Sequence, residues 1–234
     1  MDFIKINYTG RIKDGQIFDT TDEQLAKKEN IYNNQRIYKP LNVAVGEGQV
    51  IKGLDEELAH MKVGDKKTVE IPPEKGYGQK SAAMVKLVPL KLFKQEKMNP
   101  IPGMPVEIDN MRGRVQTVAG GRVRVDFNHE LAGKTLVFDV QVADKAKSDE
   151  EKVDYIIERN FESTAGFEHK LAGKKLTLSL PKAAFHDRNL LARKASFSAE
   201  TFKFLQLTDV TYQETWENQK KEDKKAEKKE EKKE

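Results

Sequence analysis

The residues best placed to do chemistry lie between Val45 and Lys62, VGEGQVIKGLDEELAHMK. Gly46 and Gly48 permit backbone angles closed to other residues. Val50 and Ile51 stand just before a stretch whose Leu54, Leu58 and Met61 share one helical face. An apolar pair between glycines at a helix start suits a shallow site with an apolar floor and free backbone N–H groups. The same residues also fit an ordinary strand–turn–helix packing unit. A second feature is Gly76-Tyr77-Gly78, an aromatic held between two flexible residues. The chain has no cysteine, so thiolate ligands and a cysteine nucleophile are excluded. Its four histidines, 60, 129, 169 and 186, are scattered, and neither a metal site nor a cofactor is expected.

The flanking elements are readable from periodicity. Leu41, Val43 and Val45 alternate as a half-buried strand leading into the glycine turn. Asp55, Glu56 and Glu57 load the first turns of the helix and Lys62 its end, as the helix dipole favours, with Gly64 at the expected cap. Phe3 to Ile12 alternates weakly, and Asp14-Gly15 signals a hairpin into Gln16-Ile17-Phe18-Asp19. Residues 20–39 are polar and read as an insertion. Thr68 to Ile71 forms a strand stopped by Pro72-Pro73, and Thr135 to Val142, alternating in its second half, reads as a strand completing a sheet.

The length of 234 residues allows more than one domain. A hydrophobic content of 37% and a charged content of 34% describe a soluble protein with modest cores. No run approaches the ~18 apolar residues of a membrane helix, and MDFIKINYTG lacks the plan of a signal peptide. The expectation is therefore cytoplasmic, with no membrane partner. The net charge of +4 is unevenly placed: residues 85–127 carry 8 basic and 4 acidic side chains, while the segments on either side are balanced. The middle segment is compositionally distinct, and a boundary is expected on each side.

Asn7-Tyr8-Thr9-Gly10, Asp14-Gly15 with Phe18-Asp19, Val45-Gly46 with Val50 to Leu54, Gly76-Tyr77-Gly78 and Leu136 to Val140 together resemble, in order, the FKBP family of peptidyl-prolyl isomerases. About 50 residues separate Gly78 from the run Asn128 to Gly133, a layout similar to the SlyD type and its archaeal relatives with an insert-in-flap domain. A further segment beyond the last strand resembles the archaeal long type. The resemblance implies an α+β fold: an antiparallel sheet wrapped on a short helix, an inserted small all-β domain and a C-terminal α+β domain. The corresponding domains are 1–84 plus 128–147 (isomerase), 85–127 (insert), 148–216 (C-terminal) and 217–234 (tail). It implies catalytic roles for Tyr8, Asp19, Ile51 and Tyr77. Asp19 would act electrostatically, oriented by Tyr8; Ile51 would offer its N–H, and Tyr77 its hydroxyl, to the substrate. Phe18, Leu41, Val50, Leu54 and Phe138 would join Tyr8, Ile51 and Tyr77 in lining the proline pocket. Leu41 and Leu54 replace aromatic residues of several relatives, so weak macrolide binding is expected.

The insert reads as strands at Val106 to Ile108, Arg114 to Val118 and Arg122 to Val125, with turns at Asp109-Asn110 and Ala119-Gly120-Gly121. A unit of 43 residues is too small to bury a large core. Met84, Val85, Leu87, Val88, Leu90, Leu92 and Phe93 are therefore expected to leave an apolar surface, which the resemblance implies binds unfolded, proline-containing polypeptides. Arginines 112, 114, 122 and 124 raise a second reading, contact with RNA or ribosome phosphates, but no aromatic ladder accompanies them. A binding-only chaperone with a decayed isomerase site is the alternative from another class; retention of Asp19, Tyr77 and Phe138 argues against it.

In the C-terminal third, Ser148 to Glu151 is a capping-box start and Val153, Ile156 and Ile157 form a helical stripe. Lys175 to Leu180 alternates as a strand, and Phe197 to Tyr212 reads as one or two more. Homodimerisation or client binding through this segment is the partner expectation. The run His169 to Lys174 echoes His129 to Lys134, more by chance than by duplication. The tail from Glu217 carries 8 basic and 7 acidic residues and reads as a solvated helix or disordered chain.

Overall fold

The computed structural model describes residues 1–216; the Lys/Glu-rich tail of 217–234 lies outside the described residues. The chain divides into a unit of Asp2–Lys145 and another from Ala146 onward. The first contains β1 (Phe3–Ile12), β2 (Ile17–Thr20), α1 (Glu23–Lys28), β3 (Leu41–Ala44), α2 (Lys52–Leu58), β4 (Lys66–Ile71), β5 (Val85–Pro89), α3 (Leu90–Gln95), β6 (Pro105–Ile108), β7 (Met111–Ala119), β8 (Arg122–Asp126) and β9 (Leu136–Lys145). A five-stranded antiparallel sheet runs β2-β1-β9-β4, and β3 pairs with the first half of β1.

Strand alternation decides which side of this sheet is dry. Ile4, Ile6 and Tyr8 of β1, Val69 and Ile71 of β4, and Leu136, Phe138, Val140 and Val142 of β9 project together, and α2 lays Leu54 and Leu58 onto them. Each fully buried leucine or isoleucine there contributes about 1.5–3 kcal/mol. The helix is one turn shorter than its apolar spacing suggests. His60 and Met61 donate to Glu57 and Leu58 in three-residue steps, which tightens and ends the helix. Met61 packs on the core from beyond the end. Gly64 serves the turn into β4 rather than the helix cap, its N–H donating to Val142 O at 2.9 Å. The polar insertion of 20–39 is partly ordered by α1, whose N-cap Asp22 accepts the N–H groups of Gln24 and Leu25 at 2.8 and 3.1 Å.

Residues 85–127 form a separate sheet, β5-β8-β7-β6. Its tight turns use left-handed backbone at Asp109-Asn110 (φ 51° and 61°) and Gly120-Gly121 (φ 56° and 73°), as two-residue hairpins require. The segment is not all-β, because α3 follows β5 directly. Two residues expected on a client-binding surface are core instead: Val88 and Phe93 are 8% and 2% exposed and pack with Val106, Val115, Val123, Val125 and Phe127. So small a unit needs its largest apolar side chains inside. Met84 and Leu90 pack partly against that core, whereas Leu87 and Leu92 are exposed and Val85 is half-buried.

The two crossings between the sheets are clasped by polar groups. Asn128 accepts the Ser81 N–H at 2.8 Å and donates to Ser81 O at 3.0 Å. Asp126 accepts from Asn128, Gln116 and Lys80. Burial works to raise the affinity of that carboxyl for a proton, but the Asn128 bonds and the Lys80 ammonium outweigh it and hold the group below the usual carboxylate range.

The second unit comprises α4 (Asp149–Phe161), β10 (Glu168–Ala172), β11 (Lys175–Ser179), α5 (Leu190–Leu205) and β12 (Asp209–Gln213). Ser148 caps α4, accepting the Glu151 N–H at 3.2 Å. The strands expected over Phe197 to Tyr212 resolve into the end of α5 followed by β12. Phe197 and Thr201, four apart, are both fully buried on one helix face. β12 pairs with β11 in parallel, and β10 with β11 antiparallel. His169 to Lys174 spans a hairpin, whereas the chain around His129 to Lys134 is an irregular turn, so their sequence echo has no structural counterpart. Among the described residues no helix is long and apolar enough to cross a membrane.

Candidate active site

The glycine turn before α2 is held by a buried acid. Asp55, 8% exposed, accepts the N–H groups of Gly46 and Gly48 on its two carboxylate oxygens at 2.8 and 3.1 Å. Gly46 and Gly48 have φ of 86° and 65°, which a residue with a side chain adopts only under strain. Gln49 adds a bond from the Ala44 N–H at 2.8 Å. The turn therefore delivers Val50 and Ile51 to one place, half-buried against the main core. Ile51 is the N-cap of α2; its carbonyl accepts from Leu54 and Asp55. Its own N–H has no acceptor among the described residues.

The apolar core that Ile51 packs against also takes most of the residues read from the sequence. Tyr8, Phe18 and Val50 are half-buried against it, Phe138 is 5% exposed, and Leu54 lies beneath at 2%. Phe18 and Phe138 meet edge to face with centroids 5.7 Å apart, and Tyr8 tilts onto Phe138 at 6.0 Å. Gly10 explains the Tyr-Thr-Gly sequence: a Cβ there would stand 2.8 Å from both Phe138 Cε1 and Phe18 Cζ. Leu41 is not brought in. It pairs with Ile6 and shares its face, but at the start of β3 it is 37% exposed and outside the packed cluster.

One charge sits at the rim. The Tyr8 hydroxyl donates to Asp19 Oδ2 at 2.6 Å, and Arg36 pairs with the other carboxylate oxygen and reaches Tyr8 Oη at 3.3 Å. Burial, then the bond to Asp19 and its charge, push the Tyr8 hydroxyl well above the usual tyrosine range. Burial opposes the charge on Arg36, but its bonds to Asp19 and Tyr8 more than compensate and strengthen its hold on its proton.

Tyr77 stands apart from the packed cluster, 38% exposed. Its ring lies flat on the His129 imidazole, with centroids 4.1 Å apart and planes at 2°. His129 Nδ1 accepts the Leu131 N–H at 3.1 Å, and Gly133 N–H donates to Gly78 O at 2.8 Å, so the two turns support each other. Burial and the Asp19 charge raise the Tyr77 hydroxyl. A depression of about 620 Å³ opens on the opposite face of the sheet, near Asn7, Thr9, Lys66 and Asp139. Its carboxylate, Asp139, is already held by Thr68 and Arg11. The apolar cluster with an open N–H is the better site for a planar amide.

Sequence reasoning missed three residues. Arg36, in the polar insertion, reaches Asp19 across 17 positions and carries no local pattern. His129 was visible only as part of a lead into the last strand, and Asp55 only as an acid in a first helical turn.

Comparison with known proteins shows the family. Residues 86–131 match the family described as "FKBP26, IF domain", and residues 149–217 match "FKBP26_C-terminal". A "Short-type peptidyl-prolyl cis-trans isomerase" of Methanocaldococcus jannaschii is 37% identical over 150 residues, which cover 64% of this chain and 95% of the relative. The chain belongs to the FKBP-type peptidyl-prolyl cis–trans isomerases. Within that family it is SlyD-like and of the long type. A "Probable FKBP-type 16 kDa peptidyl-prolyl cis-trans isomerase" of Pseudomonas fluorescens is 30% identical over 60% of this chain and 87% of its own. A "FKBP-type peptidyl-prolyl cis-trans isomerase SlyD" of Vibrio cholerae is 32% identical over 53% of this chain and 63% of its own. This FKBP-type chain is thus an enzyme that turns Xaa-Pro bonds.

Proposed function

We propose that this isomerase accelerates proline-limited folding in the cytoplasm, with residues 85–127 as an insert-in-flap domain that holds the unfolded chain. The observations that support the catalytic reading are an Ile51 N–H with no acceptor among the described residues, on a residue packed against the same apolar core as Tyr8, and the Tyr8–Asp19–Arg36 group. Amide resonance sets a barrier of ~18–20 kcal/mol to rotation of a peptide bond. Twisting an Xaa-Pro bond removes that resonance and the charge separation that comes with it. A dry cleft suits the twisted amide better than the planar one, and only such preferential binding raises the rate. In this reading Phe18, Val50, Leu54 and Phe138 wall the proline ring. Ile51 N–H holds a neighbouring carbonyl, Tyr77 offers its hydroxyl, and Asp19 acts through its field without transferring a proton. Leu41, exposed at the rim, contributes least.

The insert's exposed apolar groups, Leu87 at 60%, Leu92 at 47% and Ile101 at 59%, support the holding role. The experiment pairs two substrates. A proline tetrapeptide reads the pocket alone, and a proline-limited refolding protein reads pocket and insert together. Removing residues 85–127 leaves the tetrapeptide rate within about twofold and lowers the refolding rate by at least about tenfold. Equal losses in both assays would make the insert merely structural. For the second unit the proposed role is homodimerisation, through apolar groups left outside its core.

A further inference from the structure

We propose that the outer face of the insert's sheet is a docking surface for extended polypeptide segments in which acidic side chains stand beside apolar ones. The inference rests on the reading of the insert as the client-holding part and adds a charge preference to it. Register places the groups. Val85 pairs with Asp126, Leu87 with Arg124 and Pro89 with Arg122, while Arg124 and Arg122 pair on their other side with Thr117 and Ala119. Paired residues share a face, so Val85, Leu87 and Pro89 make an apolar row along β5, facing a row on β8 of Arg122, Arg124 and, at its end, Asp126, whose carboxylate is already taken by Lys80, Gln116 and Asn128. The alternate residues Val88, Val123 and Val125 are the insert's core. The outer rows are therefore fixed on the surface by the packing behind them.

The basic row is unsatisfied. Among the described residues neither Arg122 nor Arg124 has an ion-pair partner, whereas Arg112 and Arg114 reach Glu107 and Glu130. The segment 85–127 also holds the chain's whole excess of positive charge, 8 basic against 4 acidic residues. A groove of about 520 Å³ opens on this face, lined by Val85, Leu87 and Arg124 and continuing to Lys80, Ser81 and Asn128 at the crossing from the isomerase half. Positions two apart on a strand are about 7 Å apart, which is also the spacing of same-side side chains in an extended client. An apolar row beside a basic row at that spacing fits a strand-like polypeptide with leucine-like and carboxylate groups on its contacting side. Nucleic acid would use the arginines but leave Val85 and Leu87 unemployed, and no aromatic residue lies in these rows for bases to stack on.

The test is fluorescence polarisation with the full chain and three labelled, unstructured peptides. Each alternates leucine with a second residue: aspartate, asparagine or lysine. The aspartate peptide binds about three- to tenfold tighter than the lysine peptide at low salt, as two exposed charge contacts allow, and the gap narrows with added salt. The double substitution Arg122→Glu with Arg124→Glu reverses that order; Leu87→Ser weakens all three peptides alike. Circular dichroism confirms that each variant keeps its fold. Equal binding of the three peptides, still weakened by Leu87→Ser, would overturn the charge preference and leave the insert's holding role standing. Binding of none of them would overturn both. A single-stranded RNA oligonucleotide that bound tighter than the aspartate peptide, and lost binding in the double variant, would assign the face to phosphates and overturn the proposal.

Discussion

Tyr8 has its hydroxyl proton committed to Asp19, and this has a measurable consequence for stability. In the unfolded chain tyrosine titrates near 10; in the folded chain burial and the Asp19 carboxylate raise Tyr8, and burial with the Asp19 charge raises Tyr77. Above pH ~10 the unfolded state therefore releases these protons first, so the folded state binds more protons and stability falls as pH rises. Below that pH their contribution is complete. Denaturant midpoints from pH 8 to 11 should show an alkaline decline that Tyr8→Phe makes shallower; an unchanged slope would separate Tyr8 from it. His129 allows a second test. If its ring fixes the attitude of Tyr77, His129→Ala lowers tetrapeptide kcat/KM about fivefold, ~1 kcal/mol of transition-state stabilisation, while His129→Phe, which keeps a flat partner, restores most of it. At this scale the walls were legible because Tyr8, Asp19, Phe18 and Phe138 sit in recognisable local strings. Arg36 and His129 were not, since an ion pair and a ring stack made across long loops leave no periodic trace.

The glycine turn and α2 act as one element, and Asp55 is what joins them. Asp55→Ala would leave the Gly46 and Gly48 N–H groups without their carboxylate, a loss of about 2–4 kcal/mol for two bonds to a buried charge. Ile51 would lose its fixed position as well, so KM for the tetrapeptide should rise together with the fall in urea midpoint. A variant that lost stability with KM intact would show that the turn supports the fold but not the site. Strand β9 and the β1–β2 hairpin were readable from alternation and Asp14-Gly15, signals made by neighbours in sequence. The helix α5 was misread because its Phe197, Phe202 and Phe204 have strand-like preferences, which the burial of Phe197 and Thr201 on one helical face overrides. The insert's α3 was missed for a related reason: Leu90, Leu92 and Phe93 follow a proline in an apolar run too short to show a helical period.

At the level of the whole molecule, large apolar side chains stay exposed in the isomerase half, the insert and the second unit, and those of the second unit bear on its partners. In the second unit Leu191 and Trp216 are 81% and 76% exposed and Phe202 is 43% exposed. Leu191 and Phe202 stand eleven positions apart on α5, close to three full turns, and so share one side of that helix. Trp216 stacks on Phe185 with centroids 4.8 Å apart, which widens the apolar area without covering it. Burying such groups against a second copy satisfies them symmetrically, the commonest solution for a soluble chain. Sedimentation of the full chain should then report twice the mass of one copy, and a chain ending near residue 147 the mass of one. Leu191→Lys with Phe202→Lys in the full chain should also give single copies without loss of helix content, because neither side chain belongs to the core of its unit. Unchanged mass across the three proteins would dismiss the dimer and leave the exposed side of α5 to unfolded clients.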